Sequence, residues 1–194
     1  MTTLKTGKAL AGSFLLLIGT LACTTPVIGQ TTSLPLNQED KVEYVHAVET
    51  DSLPYLTLWD NAMEFLDSLT VPDQLAKEVM ASDDLTELRH QFGFYLIVKP
   101  ALTKQVEGVM MADLNMKFNG SGYEYSINNF RFIKYARNRF GVFVPKSSKK
   151  YPLENYYPDN QKKNWQTHFE TINSKIQNIA VNLEQKMKEI RNSN

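Results

Sequence analysis

Apolar and polar positions alternate most regularly between Val106 and Phe118. Even-numbered positions of this stretch are apolar, and most odd-numbered positions are polar. A period of two indicates a β-strand with one buried face. The turn-forming residues 119–122 follow and the alternation restarts at Tyr123, which predicts an antiparallel hairpin. The alternation then shifts by one position near Asn128 and Asn129, where we predict a β-bulge.

Three further segments have strand patterns. Residues 41–49 alternate and predict a first strand, and His46 falls in its apolar phase and is expected to be a buried, hydrogen-bonded histidine. The apolar run Phe92–Val98 has strand length and ends before Pro100, which cannot donate a ladder hydrogen bond. Residues 140–144 predict a last edge strand, followed by a basic loop.

Four apolar residues between Leu56 and Leu66 recur at helical spacing. Ser52 and Pro54 precede them as a cap and a first-turn residue, so we predict an amphipathic helix that ends near Leu69. Weaker helical patterns predict two short helices, one over 72–80 and one over 83–90.

Eight apolar residues near the C-terminus are three or four positions apart; they are Trp165, Phe169, Ile172, Ile176, Ile179, Leu183, Met187 and Ile190. One helix from Trp165 to Arg191 would extend about 40 Å at 1.5 Å per residue. The apolar face of the sheet needs a cover, so we favour packing within the chain over a coiled coil with another chain. His168 lies off this apolar seam and is interpreted as a surface residue.

Three short segments carry a resemblance to known proteins. They are Lys41–Tyr44 with the Trp59-bearing helix that follows, Tyr123–Arg131, and Pro152–Glu154 ahead of Lys163–Trp165. These segments resemble a family of exported Bacteroidota proteins, catalogued as a domain of unknown function with a TATA-binding-protein-like (TBP-like) fold. The resemblance implies a curved antiparallel sheet with helices on one face. It implies no activity, and likeness to a DNA-binding fold does not transfer DNA binding.

Pattern and resemblance together predict the α+β class. We expect a curved antiparallel sheet of about four to five strands, with an N-terminal helix and a long C-terminal helix packed on one face. Residues 39–191 would form this single domain.

The first thirty residues have the order of a secretory signal. Lys5 and Lys8 precede the mainly apolar run Ala9–Cys23, and a short polar stretch with small residues follows. A membrane-spanning helix needs about 20 apolar residues, more than this run contains. We therefore predict a signal peptide over 1–29, a polar tether over 30–38 and no transmembrane helix in the mature chain.

Lipid attachment is the alternative fate of this segment. Leu21, Ala22 and Cys23 resemble the end of a bacterial lipoprotein box, but Thr20 stands where such a box has a large aliphatic residue. We favour soluble export, to the periplasm or the exterior, over a lipoprotein anchored through Cys23. Both versions place the protein outside the cytoplasm, away from nucleotide cofactors and the chromosome.

The composition argues against several classes of protein. Among 194 residues, 21 Lys and Arg balance 21 Asp and Glu, so no overall positive field would attract nucleic acid. The single Cys excludes a disulfide framework, and the three His are too scattered for a metal site. We predict no metal, no cofactor and no nucleic-acid partner.

The sequence contains no recognisable catalytic constellation. Residues 147–150 match the Ser-x-x-Lys pattern of penicillin-recognising enzymes, but the companion motifs are missing and the stretch is predicted to be a loop. We predict that the protein is not an enzyme.

Charge is unevenly distributed along the chain. Residues 39–90 contain 13 acidic and 3 basic residues, whereas residues 131–163 contain 9 basic and 2 acidic ones. The basic group would contact anionic lipid headgroups or envelope polysaccharide, with Tyr151, Tyr156 and Tyr157 as aromatic platforms. Its contact residues would be Arg131, Lys134, Arg137, Arg139, Lys146, Lys149 and Lys150. The alternative, which we favour from sequence alone, is a solvated loop that complements the acidic half.

The function that we predict is a non-enzymatic interaction or binding module of the cell envelope, with an envelope macromolecule or anionic surface as its unknown partner. Val109 and Met111 lie among polar residues on the odd-numbered phase, so this sheet face is a second candidate contact surface. The alternative function is binding of a small apolar ligand or lipid in a cavity between the sheet and the C-terminal helix, suggested by 7 Met and 10 Phe.

Overall fold

The fold combines one sheet with two long helices. The computed structural model describes residues 34–50, 53–69, 72, 79–98, 105–120, 122–156 and 163–189. Its elements are β1 (Tyr44–Glu49), α1 (Tyr55–Ser68), β2 (Val79–Ala81), β3 (Glu87–Val98), β4 (Gln105–Asn119), β5 (Gly122–Arg137), β6 (Phe143–Pro152), a 3-10 helix (Leu153–Tyr156) and α2 (Lys163–Met187). The predicted signal peptide, with Cys23, lies outside the described residues.

The strands form one antiparallel sheet built around β5. The strand order is β1-β5-β4-β3-β2, and β6 also pairs with β5. β1 lies along residues 122–127 of β5 and β6 along residues 131–137, so two strands share one edge of a longer one. The predicted α+β class and curved antiparallel sheet are confirmed, with six strands in the described residues instead of four to five.

The β4–β5 hairpin has the predicted turn at 119–122 and the predicted bulge. Its register shifts between Met111 and Asp113, where Asn129 and Phe130 of β5 face one residue of β4. The backbone at Asn129 has φ +53°, a left-handed conformation that asparagine tolerates better than most residues.

Both helices pack on the even-numbered face of β4. The buried residues of α2 are Trp165, His168, Phe169, Ile172, Ile176, Leu183 and Met187. Those of α1 are Leu58, Trp59, Asn61, Ala62, Phe65 and Leu66. The apolar seam of α2 packs in the main core of the same chain, as predicted. Burial of one large apolar side chain stabilises a fold by about 1.5–3 kcal/mol.

A short β-hairpin occupies the region where two short helices were expected. β2 pairs with the start of β3, and the turn between them includes Leu85. The prediction of a helix over 83–90 is therefore wrong. The prediction of a helix over 72–80 is wrong at Val79 and Met80, which lie in β2, and its residues 73–78 lie outside the described residues.

Short polar side chains explain this hairpin. Asp84 Oδ1 accepts hydrogen bonds from the backbone N–H and the hydroxyl of Thr86, and Ser82 Oγ accepts one from the N–H of Glu87. Leu85 takes a left-handed conformation with φ +58°. Side chains that satisfy backbone donors locally compete with helix formation, so the weak apolar periodicity does not prevail here.

The start of α1 differs slightly from the prediction. Pro54 occupies the N-cap position without a side-chain hydrogen bond, and its carbonyl accepts a hydrogen bond from the N–H of Leu58. Ser52 lies outside the described residues. Neither helix of the described residues is long and apolar enough to cross a membrane.

The described part of the predicted tether is packed on the domain. Leu34 is buried in the main core, and Leu36 forms a β-bridge with Val42. Asn37 closes the turn between them, since its Oδ1 accepts a hydrogen bond from the N–H of Glu39. The folded domain therefore begins at or before Leu34, and the prediction of a tether as far as residue 38 is wrong for these residues.

Candidate functional site

The segment predicted to be a basic loop is a β-strand. β6 pairs with β5 on both sides of residues 146–149, which form a four-residue bulge opposite the single residue Lys134. The predicted strand over 140–144 begins at Phe143 and continues through the expected loop. The sequence of β6 did not indicate this strand. β6 forms because β5 extends beyond β1, and the edge of that extension pairs with β6.

Six of the seven predicted contact residues are exposed on the basic hairpin, which we define as residues 131–152. They are Lys134, Arg137, Arg139, Lys146, Lys149 and Lys150. Among the residues that the structure describes, no carboxylate lies within 4.0 Å of their charged nitrogens. Like charges gathered on one hairpin repel one another, and a bound anion would relieve that repulsion.

Tyr151 lies between two of these lysines. The Nζ atom of Lys134 is 5.3 Å from the centre of its ring, and that of Lys149 is 4.7 Å away. Both distances are within the range of cation–π attraction, which holds the ammonium groups over the ring face. Tyr151 is partly buried against the main core and positions these two lysines, and its use as an aromatic platform for a ligand stays a prediction.

Tyr156 has a structural position instead. Its ring stacks on that of Trp165 with 4.0 Å between the ring centres, and burial raises its pKa above the ordinary value. The prediction that Tyr156 is an aromatic platform for a ligand is not supported by this packing. Tyr157 lies outside the described residues.

The turn of the basic hairpin presents two apolar side chains to solvent. Phe140 is 74% exposed and Val142 is 55% exposed. Asn138 Oδ1 accepts hydrogen bonds from the backbone N–H of both residues, and Gly141 supplies a left-handed φ of +79°. This tip was not predicted, although Asn138 and Gly141, three positions apart, are a detectable turn signal.

Arg131 differs from the six exposed cations because its guanidinium forms an ion pair with a carboxylate. Its guanidinium donates to Asp113 at 2.6 Å on the sheet face opposite the helices. Gln91 and Asn129 donate to the same carboxylate at 3.0 and 2.6 Å. The Asp113 carboxylate thus accepts hydrogen bonds from three side chains, which indicates a structural role for Arg131. We therefore do not count Arg131 among the exposed contact residues.

The second candidate surface, at Val109 and Met111, is closed. Both side chains are at most 1% exposed and form a small apolar cluster with Ile133, against which Tyr135 packs. Pro72 is also buried beside this face, close to Gly93 of β3. The interpretation of Val109 and Met111 as an open contact surface is therefore wrong.

The sequence analysis also misplaced two histidines. His168 is 1% exposed, and its Nε2 lies 2.7 Å from Oε2 of Glu107. Its spacing of three from Trp165 and four from Ile172 was the signal for a buried position. His46, expected in the core, is exposed at the edge strand β1, with its Nε2 3.5 Å from a carboxylate oxygen of Glu184.

Glu107 reaches His168 because β4 bulges there. Leu96 pairs with Gly108 and Ile97 with Val106, which leaves Glu107 as the extra residue. The bulge turns its carboxylate toward α2, and the hydrogen bond from His168 lowers the pKa of Glu107.

A groove of about 720 Å³ lies between β1 and α2. Its lining combines apolar side chains such as Leu34 and Ile176 with polar ones such as Asn173 and Gln177. It is a surface groove of mixed polarity, not the enclosed apolar cavity that the alternative function needs. Among the described residues, no group of three or more His, Cys, Asp or Glu is placed to hold a metal ion.

Two solved structures share this architecture. One is a TBP-like protein from Parabacteroides distasonis, with a TM-score of 0.60 and 12% identity over 81% of this chain and 98% of that one. This chain has a TBP-like fold. The other is a DUF4468 family protein from Bacteroides ovatus, with a TM-score of 0.56 and 11% identity over 83% of this chain and 94% of that one.

These comparisons confirm the predicted resemblance to Bacteroidota proteins at the level of the TBP-like fold. No family model matches the sequence, and no curated protein matches it significantly. A shared fold at this identity carries no activity with it, so function has to be argued from the side chains.

Proposed function

We propose that the protein is a non-enzymatic module of the bacterial cell envelope that binds an anionic surface through the basic hairpin. The observation that carries this proposal is the group of six exposed cations without a described carboxylate partner. An anionic surface would supply the missing counter-charges, and the affinity would fall with ionic strength.

The geometry of the basic hairpin favours binding over mere solubility. A solvated loop would lose conformational entropy on binding, whereas Arg137 and Lys150 lie at paired positions of β5 and β6. Lys146 and Lys149 lie in the bulge of β6, which paired residues hold at both ends. The acidic half of the chain does not neutralise them, because its described carboxylates are not within ion-pair distance.

Export is the second part of the proposal. It is supported by the charged and then apolar order of residues 1–29, followed by the predicted cleavage before Gln30. Attachment of lipid to Cys23 is the alternative route to the same compartment. Both routes place the basic hairpin among the anionic lipids and polysaccharides of the envelope.

Cosedimentation at two salt concentrations tests the anionic surface. The chain would carry Cys23→Ser to remove any acyl anchor, and it would be mixed with phosphatidylglycerol vesicles, phosphatidylcholine vesicles or an anionic polysaccharide resin. We expect binding to an anionic material at about 50 mM salt, loss of binding at about 500 mM, and no binding to phosphatidylcholine.

A charge-matched pair of triple variants provides the control. Lys146→Gln, Lys149→Gln and Lys150→Gln together should weaken binding about a hundredfold, following the loss of about 1 kcal/mol per cation near an anionic surface. Lys41→Gln, Lys175→Gln and Lys188→Gln remove the same charge from exposed positions outside the hairpin and should have little effect. Equal losses in both variants, or no binding at low salt, would overturn the proposal.

The groove between β1 and α2 supports a second candidate function, binding of a small amphipathic ligand. Its volume of about 720 Å³ is in the range of small-molecule sites. Native mass spectrometry of the protein from its own host tests this candidate. A retained mass that Gln177→Trp, at an exposed position of the lining, displaces would support it, and the absence of any retained mass would eliminate it.

A further inference from the structure

We propose that the tip of the basic hairpin inserts Phe140 and Val142 into the interface of an anionic phospholipid bilayer. This inference rests on the proposed function and adds the class of surface and the depth of contact. The exposure of Phe140, 74%, is the largest among the large hydrophobic residues described as exposed. Phe140 and Val142 are both exposed near the end of the hairpin, and transfer of apolar side chains from water to an apolar environment is favourable.

The turn holds these side chains outward. Asn138 donates its N–H to the carbonyl of Val142, and the N–H of Gly141 donates to the carbonyl of Asn138, both at 2.9 Å. With the two hydrogen bonds to Asn138 Oδ1, the backbone of the tip is closed on itself. The exposure of Phe140 is thus built into an ordered turn, so insertion would require little additional ordering.

Cations surround the apolar tip at its base. The guanidinium of Arg139 lies 4.7 Å from the ring centre of Phe140, and that of Arg137 lies 5.3 Å from the ring centre of Phe143. Lys134 and the three lysines of β6 follow farther along the hairpin. The order along the hairpin is therefore apolar residues at the end and cations behind them.

A bilayer matches this order, because apolar acyl chains lie beneath a layer of anionic headgroups. Arginine and aromatic residues are also the types found at that boundary. An anionic polysaccharide would neutralise the cations but would leave Phe140 and Val142 in water. The apolar tip thus favours a membrane over a polysaccharide as the surface that the basic hairpin binds.

Two matched tryptophan variants test insertion. Val142→Trp places an indole at the tip, and Val181→Trp places one at a site of nearly equal exposure on α2, 53% against 55%. The native Trp59 and Trp165 are buried and provide a constant background. With phosphatidylglycerol vesicles brominated on the acyl chains, we expect a blue shift and quenching for Val142→Trp and neither change for Val181→Trp.

A removal variant supports the fluorescence measurement, since tryptophan itself favours membrane interfaces. Phe140→Ser with Val142→Ser should weaken vesicle binding about tenfold while leaving its salt dependence unchanged. Both positions are exposed, so thermal unfolding should be unaffected and the loss can be assigned to the contact.

The outcomes separate the two proposals. Salt-sensitive vesicle binding without quenching, or with no effect of the serine variant, would overturn insertion and leave the anionic-surface function intact. Binding to polysaccharide alone would also overturn insertion. No binding to either material would overturn the proposed function and the insertion with it.

Discussion

The carboxylate of Glu107 lies 2.7 Å from Nε2 of His168, and this contact joins the bulge of β4 to α2. His168 is buried, whereas about one third of the Glu107 side chain remains exposed. The Trp165 ring packs edge-on against His168, with 5.2 Å between the ring centres. The pair thus fixes the first turns of α2 on the sheet, next to the base of the basic hairpin.

The Glu107–His168 contact predicts a pH-dependent stability. The hydrogen bond from His168 lowers the pKa of Glu107 below the ordinary value of 4.5, so the folded state favours the carboxylate. Its contribution to the free energy of unfolding is present above that ordinary value and is lost as the pH falls through the lower folded pKa. Glu107→Gln should therefore cost about 1 kcal/mol at neutral pH and less at an acid pH below the ordinary pKa of 4.5, as measured by urea unfolding.

Glu170→Gln is the control for this measurement, because Glu170 is exposed on α2. It should change the free energy of unfolding little at either pH. An equal cost of Glu107→Gln at both pH values would show that the contact does not depend on the ionised carboxylate.

Tyr125 predicts a second pH dependence, at the alkaline end. Burial, together with the nearby carboxylate of Glu184, raises the pKa of Tyr125 to about 12. The stability from its neutral form is complete below the ordinary pKa of 10.0 and is lost as the pH rises toward 12. The free energy of unfolding should fall more steeply over this range in the native protein than in Tyr125→Phe; parallel curves would contradict the assignment.

Met111 should behave as a core residue and not as a contact residue. Met111→Ala removes part of the small apolar cluster and should lower the free energy of unfolding by about 2–5 kcal/mol. Met80→Ala is the matched control at a side chain that is 56% exposed, and it should cost less than about 0.5 kcal/mol. Chemical denaturation measures both; a neutral Met111→Ala would show that this face is more open than its burial indicates.

The mass of the mature N-terminus tests export. In the native host we expect a chain that begins at Gln30 in the periplasmic or secreted fraction. A chain that begins at an acylated Cys23 in the membrane fraction would establish the alternative. An uncut, unmodified chain in the cytosol would contradict both and remove the envelope from the proposed function.

Local patterns predicted the elements whose faces differ clearly in polarity. The alternation in β4 and the apolar seam of α2 identified the buried faces, because a period of two or of 3.6 places every apolar side chain on the same side. The bulge near Asn129 was visible for the same reason, as a shift of phase. The resemblance to TBP-like proteins added the curvature of the sheet and the common face of the helices.

Elements that depend on a distant partner could not be predicted in this way. Residues 145–152 are too polar to indicate a strand, and they continue β6 because β5 extends past β1 and leaves backbone groups to pair. The contact between Glu107 and His168 could not be predicted either. Glu107 belongs to the odd-numbered phase of β4, which faces away from the helices, and only the bulge turns its side chain toward α2.

By itself, the sequence determined the two long helices, the central β4–β5 hairpin and where the cations are concentrated, because side-chain periodicity and charge are local properties. Only the tertiary structure decided which of those cations lie beyond ion-pair distance of the described carboxylates, that Val109 and Met111 are enclosed, and that Phe140 is exposed at a tip. Exposure depends on which distant segments cover a residue, and that coverage follows from strand pairing and packing across the whole chain.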